Sequence, residues 1–146
     1  MNNQTRFRAS LLHSARLLND EINSLLLPYQ LNSSLWKVLY VIDLKKGCTS
    51  IEIAEYLNVS KPSIAKRIQT LTELNVLVQV PTEDKRQKKL LLSDEGLILF
   101  NTCKHVINEF EDSLLQTISS EDLSITHKVL NQIIQQLSVP KFGAKS

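Results

Sequence analysis

Residues 60–92 hold seven basic groups, Lys61, Lys66, Arg67, Lys85, Arg86, Lys88 and Lys89, against three acidic ones, Glu73, Glu83 and Asp84. That stretch carries a net charge of +4, and the rest of the chain is net −2. An asymmetry of this kind points to an anionic partner. Hydroxyl and amide side chains accompany the cations: Thr49, Ser50, Ser60, Ser63, Gln69 and Thr70. Such groups hydrogen-bond to phosphate oxygens and to base edges.

Other chemistries find little support. The chain has no Gly-rich phosphate loop, no nucleophile elbow and no zinc-protease motif. His13, His105 and His127 stand at no catalytic spacing from a carboxylate or cysteine. The expectation is a protein that is not an enzyme and needs no cofactor. Cys48 and Cys103, the two cysteines, form no CxxC motif, so no metal site is expected. They read as small buried side chains, with a redox switch as the alternative.

The local pattern shows which elements would carry these groups. Residues 5–27 read as a long helix, with Phe7, Leu11, Leu12, Ala15, Leu18, Ile22, Leu25 and Leu26 on one stripe. Pro28 stops it. Asn32 or Ser33 caps a second helix with Leu35, Val38, Leu39 and Ile42 inside, and Gly47 ends it. Thr49-Ser50-Ile51-Glu52 is a capping box opening a short third helix that stops near Asn58. Ser60 caps a fourth, with Pro62 tolerated in its first turn. Only Asn58-Val59-Ser60 separates these two short helices, which fits a helix-turn-helix or an ordinary helical hairpin. On the fourth helix, Ile64, Ile68 and Leu71 point one way, and Ser63, Lys66, Arg67, Gln69 and Thr70 spread over the other.

The only strand signal follows. Val76–Val80 is a β-branched run closed by Pro81, Thr82–Arg86 is turn-like, and Gln87–Leu92 can return as a second strand. Ser93 caps a fifth helix expected to run to about Ile118. Its apolar face covers half the circumference, wider than a monomer's surface helix needs. Ser119 or Ser120 caps a last helix with Leu123, Val129, Leu130, Ile133, Ile134 and Leu137. Pro140 and the polar tail end the fold.

With 146 residues the chain is expected to be one domain, or two small lobes sharing a core, and at 42% hydrophobic it is too apolar to be disordered. It has 3 Gly and 4 Pro, too few for a loop-rich β protein. No apolar run approaches a membrane span, and the first residues lack a signal-peptide core. The expected compartment is the cytoplasm, with no membrane partner.

An α-helix fits the major groove of double-stranded DNA. The fourth helix offers Lys66 or Arg67 to guanine and Gln69 to adenine. Thr49, Ser50 and Ser60, at helix starts, suit phosphates. Lys61, Ser63 and Thr70 complete this surface, and the hairpin tip adds Lys85, Arg86, Lys88 and Lys89. A basic hairpin after a helix-turn-helix is the mark of a winged helix.

At residues 8–137 the sequence resembles the MarR (multiple antibiotic resistance regulator) family of winged-helix transcription factors. Residues 29–39 resemble the family's link into helix two, and residues 53–60 its helix-turn-helix core. Asp84-Lys85-Arg86 matches the family's Asp-x-Arg wing, and Leu92-Ser93-Asp94-Glu95-Gly96 its strand-to-helix junction. The resemblance implies that Asp84 braces Arg86 and that Arg86 enters the minor groove. Asn75 stands where the family often has glycine. Lys66 stands where arginine is common, so relatives' operators do not transfer. The first helix lacks the cysteine of the family's oxidant sensors.

The fold expected is mainly α with a small β-hairpin. A winged helix-turn-helix lobe would span 32–92, and helices at 5–27 and 94–138 would form a dimerisation lobe. The resemblance implies a homodimer, most often a repressor, on a pseudo-palindromic operator. It also implies a small aromatic carboxylate effector in a crevice, for which His13, Arg16, Trp36 and Tyr40 are the candidates. Trp36 and Tyr40, four apart on helix two, also fit a plain core role. The alternative function is an adaptor that keeps the fold and has lost DNA binding.

Overall fold

The computed structural model describes residues 2–84 and 86–138. Lys85, Pro140 and the polar tail lie outside the described residues. The chain divides into two compact units, residues 1–108 and 109–146, with the boundary inside one long helix.

The first unit opens with α1 (Asn3–Leu26), capped by the Asn2 side chain, which accepts from the Thr5 N–H at 2.8 Å. Leu26, not Leu27, is its last residue. Pro28 is absorbed into a single 3-10 turn, Leu27–Tyr29, where its missing N–H costs nothing. The helices α2 (Ser33–Lys45), α3 (Ser50–Leu57) and α4 (Lys61–Glu73) follow. Asn32, rather than Ser33, caps α2. Strands β1 (Leu77–Pro81) and β2 (Lys88–Leu92) pair antiparallel, with Leu77 opposite Leu92 and Pro81 opposite Lys88. Helix α5 (Asp94–Leu114) starts in this unit and crosses the boundary.

One device ends α2, α3 and α4. A residue in the left-handed region (Lys46, Asn58 and Asn75) is followed by an N–H that reaches back to the last turn. The Val76 N–H thus donates to the Leu71 carbonyl at 3.2 Å, which keeps Val76 out of the strand expected to begin there. Lys46, not Gly47, takes the first left-handed position after α2.

The core of this unit joins Val38, Leu39 and Ile42 of α2, Ile53 of α3, and Ile64 and Leu71 of α4. Leu90 of β2, Phe100 and Cys103 of α5 complete it. Each fully buried apolar side chain contributes about 1.5–3 kcal/mol. Ser93 caps α5 through its hydroxyl, which accepts from the Gly96 N–H at 2.9 Å. Gly96 lies against Val76, where a Cβ would overlap the carbonyl oxygen.

Helix α1 buries only Leu26 among its 24 residues. Leu12 of its expected stripe is 63% exposed, and Phe7 and Leu18 are exposed too. The second unit holds the end of α5 and α6 (Ser120–Ser138), whose first turn is capped by Ser119. Helix α5 stops at Leu114, short of the expected Ile118, because a tight turn closed by the Ile118 N–H on the Leu115 carbonyl intervenes. No residue of α6 is buried, and Ile125, Val129, Ile134 and Leu137 are exposed.

Candidate nucleic-acid interface

The capping box at α3 is complete. The Thr49 hydroxyl accepts from the Glu52 N–H at 3.3 Å, and Glu52 Oε1 accepts from the Thr49 N–H at 2.8 Å. That N–H holds the Glu52 carboxyl below its ordinary range. The Thr49 N–H and hydroxyl are thus both engaged with Glu52 at the start of α3. Ser50, one residue on, is exposed.

Ser60 caps α4 by accepting from the Ser63 N–H at 3.3 Å, and its hydroxyl donates to the Ser63 hydroxyl at 3.0 Å. Because Ile64, Ile68 and Leu71 are buried, the opposite flank of α4 is turned outward. Lys61, Ser63, Lys66 and Gln69 are exposed on it. Thr70 is half-buried and its hydroxyl donates to the Lys66 carbonyl at 3.2 Å. Arg67 is half-buried as well, and its Nη1 donates to the Ser34 carbonyl at 3.4 Å.

In the wing, Asp84 Oδ1 accepts from the Arg86 N–H at 3.0 Å and from its Nε at 3.3 Å. The Gln87 N–H closes the turn on the Asp84 carbonyl at 2.9 Å. A third backbone segment joins the hairpin: Cys48 pairs with Leu90, with the Leu90 N–H donating to the Cys48 carbonyl at 2.7 Å. This bridge fixes the wing against the start of α3.

As a result, Arg86 and Lys88 line one cleft of about 280 Å³ together with Ser50 of α3, Ala65 of α4 and Gln79 of β1. The wing, the start of α3 and the Ala65 side of α4 therefore meet at one cleft. Sequence reasoning missed Gln79 and Ala65. A lone polar residue between Val78 and Val80 was the available signal for Gln79.

The effector candidates divide. Trp36 stacks on Phe100, ring centroids 4.8 Å apart, and belongs to the core packing. Tyr40 is exposed. His13 is exposed on α1, and Arg16 pairs with Asp20 at 3.7 Å on the same helix. Cys48 and Cys103 are buried free thiols, and burial pushes both up to about 11. No metal-ligating cluster of three or more residues occurs among the described residues. No helix among them is long and apolar enough to cross a membrane.

Two short helices at a tight turn, an outward recognition flank and a hairpin beside it define a winged helix-turn-helix protein. The profile described as the MarR family matches residues 29–87. The HTH-type transcriptional regulator YwoH of Bacillus subtilis, itself uncharacterized, is 32% identical over 123 residues, covering 84% of this chain and 90% of that protein. Among solved structures, Staphylococcus aureus MarR in complex with salicylate and kanamycin superposes with a TM-score of 0.84. It is 25% identical, and the match covers 92% of this chain and 91% of that one. A cysteine-to-serine mutant of MarR from E. coli, complexed with operator DNA, gives a TM-score of 0.79 at 18% identity, covering 90% of this chain and 96% of that one. The chain belongs to the MarR family of winged helix-turn-helix transcriptional regulators. Membership of that family places it among regulators and not enzymes.

Proposed function

We propose that the chain binds a pseudo-palindromic double-stranded operator as a homodimer and represses transcription by occupying it. In this reading α4 enters the major groove. Lys66 and Gln69 read base edges there, with Thr70 and Arg67 at the flank's inner margin. Ser50, Ser60, Lys61 and Ser63 hold phosphates. Arg86, braced by Asp84, enters the neighbouring minor groove, whose negative potential favours a guanidinium, and Lys85 and Lys88 hold the backbone beside it. The observation that carries the reading is the common cleft of Arg86, Ser50 and α4.

The exposed apolar side chains of α1 and α6 support dimerisation, since faces of that kind are unsatisfied in a single chain. In a dimer the two recognition helices stand about 34–36 Å apart, one turn of DNA. A small aromatic carboxylate is the favoured class of effector, because the similar S. aureus MarR was solved with salicylate. Arg16 would meet its carboxylate and Tyr40 its ring. His13 lies on the same helix as Arg16, and Trp36, stacked on Phe100, would line the site from the core side.

The test is binding of duplex DNA by fluorescence anisotropy at rising salt. Affinity should fall linearly on a log–log plot, with a slope set by the phosphates neutralised. Absence of binding at low salt would instead favour an adaptor that retains only the fold.

A further inference from the structure

Ser33, at the first turn of α2, is the one buried polar residue among the described residues, 7% exposed. Its hydroxyl donates to Asn19 Oδ1 at 2.7 Å, and its backbone N–H donates to Asn23 Oδ1 at 2.7 Å. Asn19 and Asn23 are four apart and so share one face of α1. Asparagine is a poor helix former, because its side chain competes for backbone groups. Two of them at this spacing weaken α1 locally, yet both amides are spent on Ser33.

The same turn is held from its other side. The Ser34 carbonyl accepts from Arg67 of α4. Four groups thus run in series: the α1 amides, Ser33, Ser34 and the α4 guanidinium. The hydrophobic effect is non-directional and does not by itself set a helix's orientation. Helix α1 has little even of that, since Leu26 is its only buried residue. Short hydrogen bonds to a buried partner fix direction, and leaving that partner unpaired is costly.

We infer that Asn19, Asn23 and Ser33 are positioning residues for DNA recognition. They form a polar clamp that sets the angle of α4 against α1, and through the dimer the separation of the two recognition helices. This inference rests on the proposed DNA-binding homodimer. Both amides act only as acceptors from Ser33. A carboxylate should therefore replace them and an isosteric apolar group should not.

The experiment places spin labels at Glu21→Cys on α1 and Glu73→Cys on α4, with labelled chains diluted in unlabelled ones. The α1–α4 distance distribution should be narrow. The double variant Asn19→Leu/Asn23→Leu should broaden or shift it, and Asn19→Asp/Asn23→Leu should restore part of the original. A double variant that does not fold is replaced by Ser33→Ala, which deletes the hydroxyl bond alone. On duplexes whose half-site spacing varies in single base-pair steps, the leucine variant should lose on the order of tenfold in affinity at the preferred spacing and discriminate less between spacings. An unchanged distance distribution in the folded leucine variant overturns the clamp. A broadened distribution with unchanged spacing preference overturns its role in recognition. Failure of the wild type to bind any duplex removes the DNA reading itself, and the label distances still decide whether the clamp holds α4.

Discussion

A single carboxylate oxygen, Oδ1 of Asp84, accepts from both the backbone N–H and the Nε of Arg86, at 3.0 and 3.3 Å. The Arg86 side chain is 91% exposed, so this pair adds little to stability. Its effect is orientation. The Nε of Arg86 is tied to Asp84, and Arg86 lines the cleft shared with Ser50. Asp84→Ala should leave the urea midpoint nearly unchanged, within about 0.5 kcal/mol. Duplex affinity should drop by anisotropy, while Asp84→Asn, which keeps an acceptor, should lose less.

Arg86 and Lys66 should fail differently. Arg86→Ala is expected to weaken binding to all duplexes and to lower the salt slope by about one. Lys66→Ala should cost about 1–3 kcal/mol at one or two base pairs and relax preference there. Competition against single-base operator variants separates the two patterns. Identical affinities for both variants and wild type would move the DNA surface elsewhere.

Gly96 is fixed by contact, not by an unusual backbone. Its missing Cβ is the space occupied by the Val76 carbonyl, which also accepts from the Ser93 N–H at 3.0 Å. Gly96→Ala should force the wing and α5 apart and destabilise the chain by about 1–3 kcal/mol or more. Urea unfolding followed by circular dichroism would measure it. An unchanged midpoint would mean this junction is loose.

Both thiols have raised pKa values in the folded chain, about 11 against 9.0. The native state then holds its protons more tightly than the unfolded one between those values. The thiol contribution to stability should be constant below pH 9 and fall as pH rises through 9–11. At pH 7–8 a thiol reagent should react with the folded chain far more slowly than with the unfolded chain. Rapid labelling of the native protein would contradict the burial of Cys48 and Cys103.

Much of this was legible because it is local. The Thr49–Glu52 capping box, the Ser60 cap and the Asp84–Arg86 pair each lie within three residues in sequence, where residue type dictates geometry. The inner face of α4 followed from a 3.6-residue period. What escaped is non-local. The Cys48–Leu90 bridge and the Arg67–Ser34 hydrogen bond join residues more than thirty apart. No pattern in either partner announces them. The expected strand start at Val76 failed because the end of α4 claimed its N–H. The α1 stripe was read correctly as apolar, yet in the single chain half of it, Phe7, Leu12, Ala15 and Leu18, is exposed.

Those exposed residues give a direct expectation of assembly. Light scattering at micromolar concentration should return the mass of two chains, about twice 16.6 kDa. Charged substitutions at Phe7 and Leu12 should shift it toward one chain. A monomer at every concentration would leave the exposed faces of α1 and α6 unexplained.

Selection of bound sequences from a random duplex pool tests the central claim most directly. The predicted result is an enriched inverted repeat whose half-sites lie about 10–10.5 base pairs apart, centre to centre. Arg86→Ala should bind that duplex weakly across all its sequence variants. A pool that emerges without enrichment, or a motif with no twofold symmetry, would contradict a paired recognition surface built from α4 and the wing.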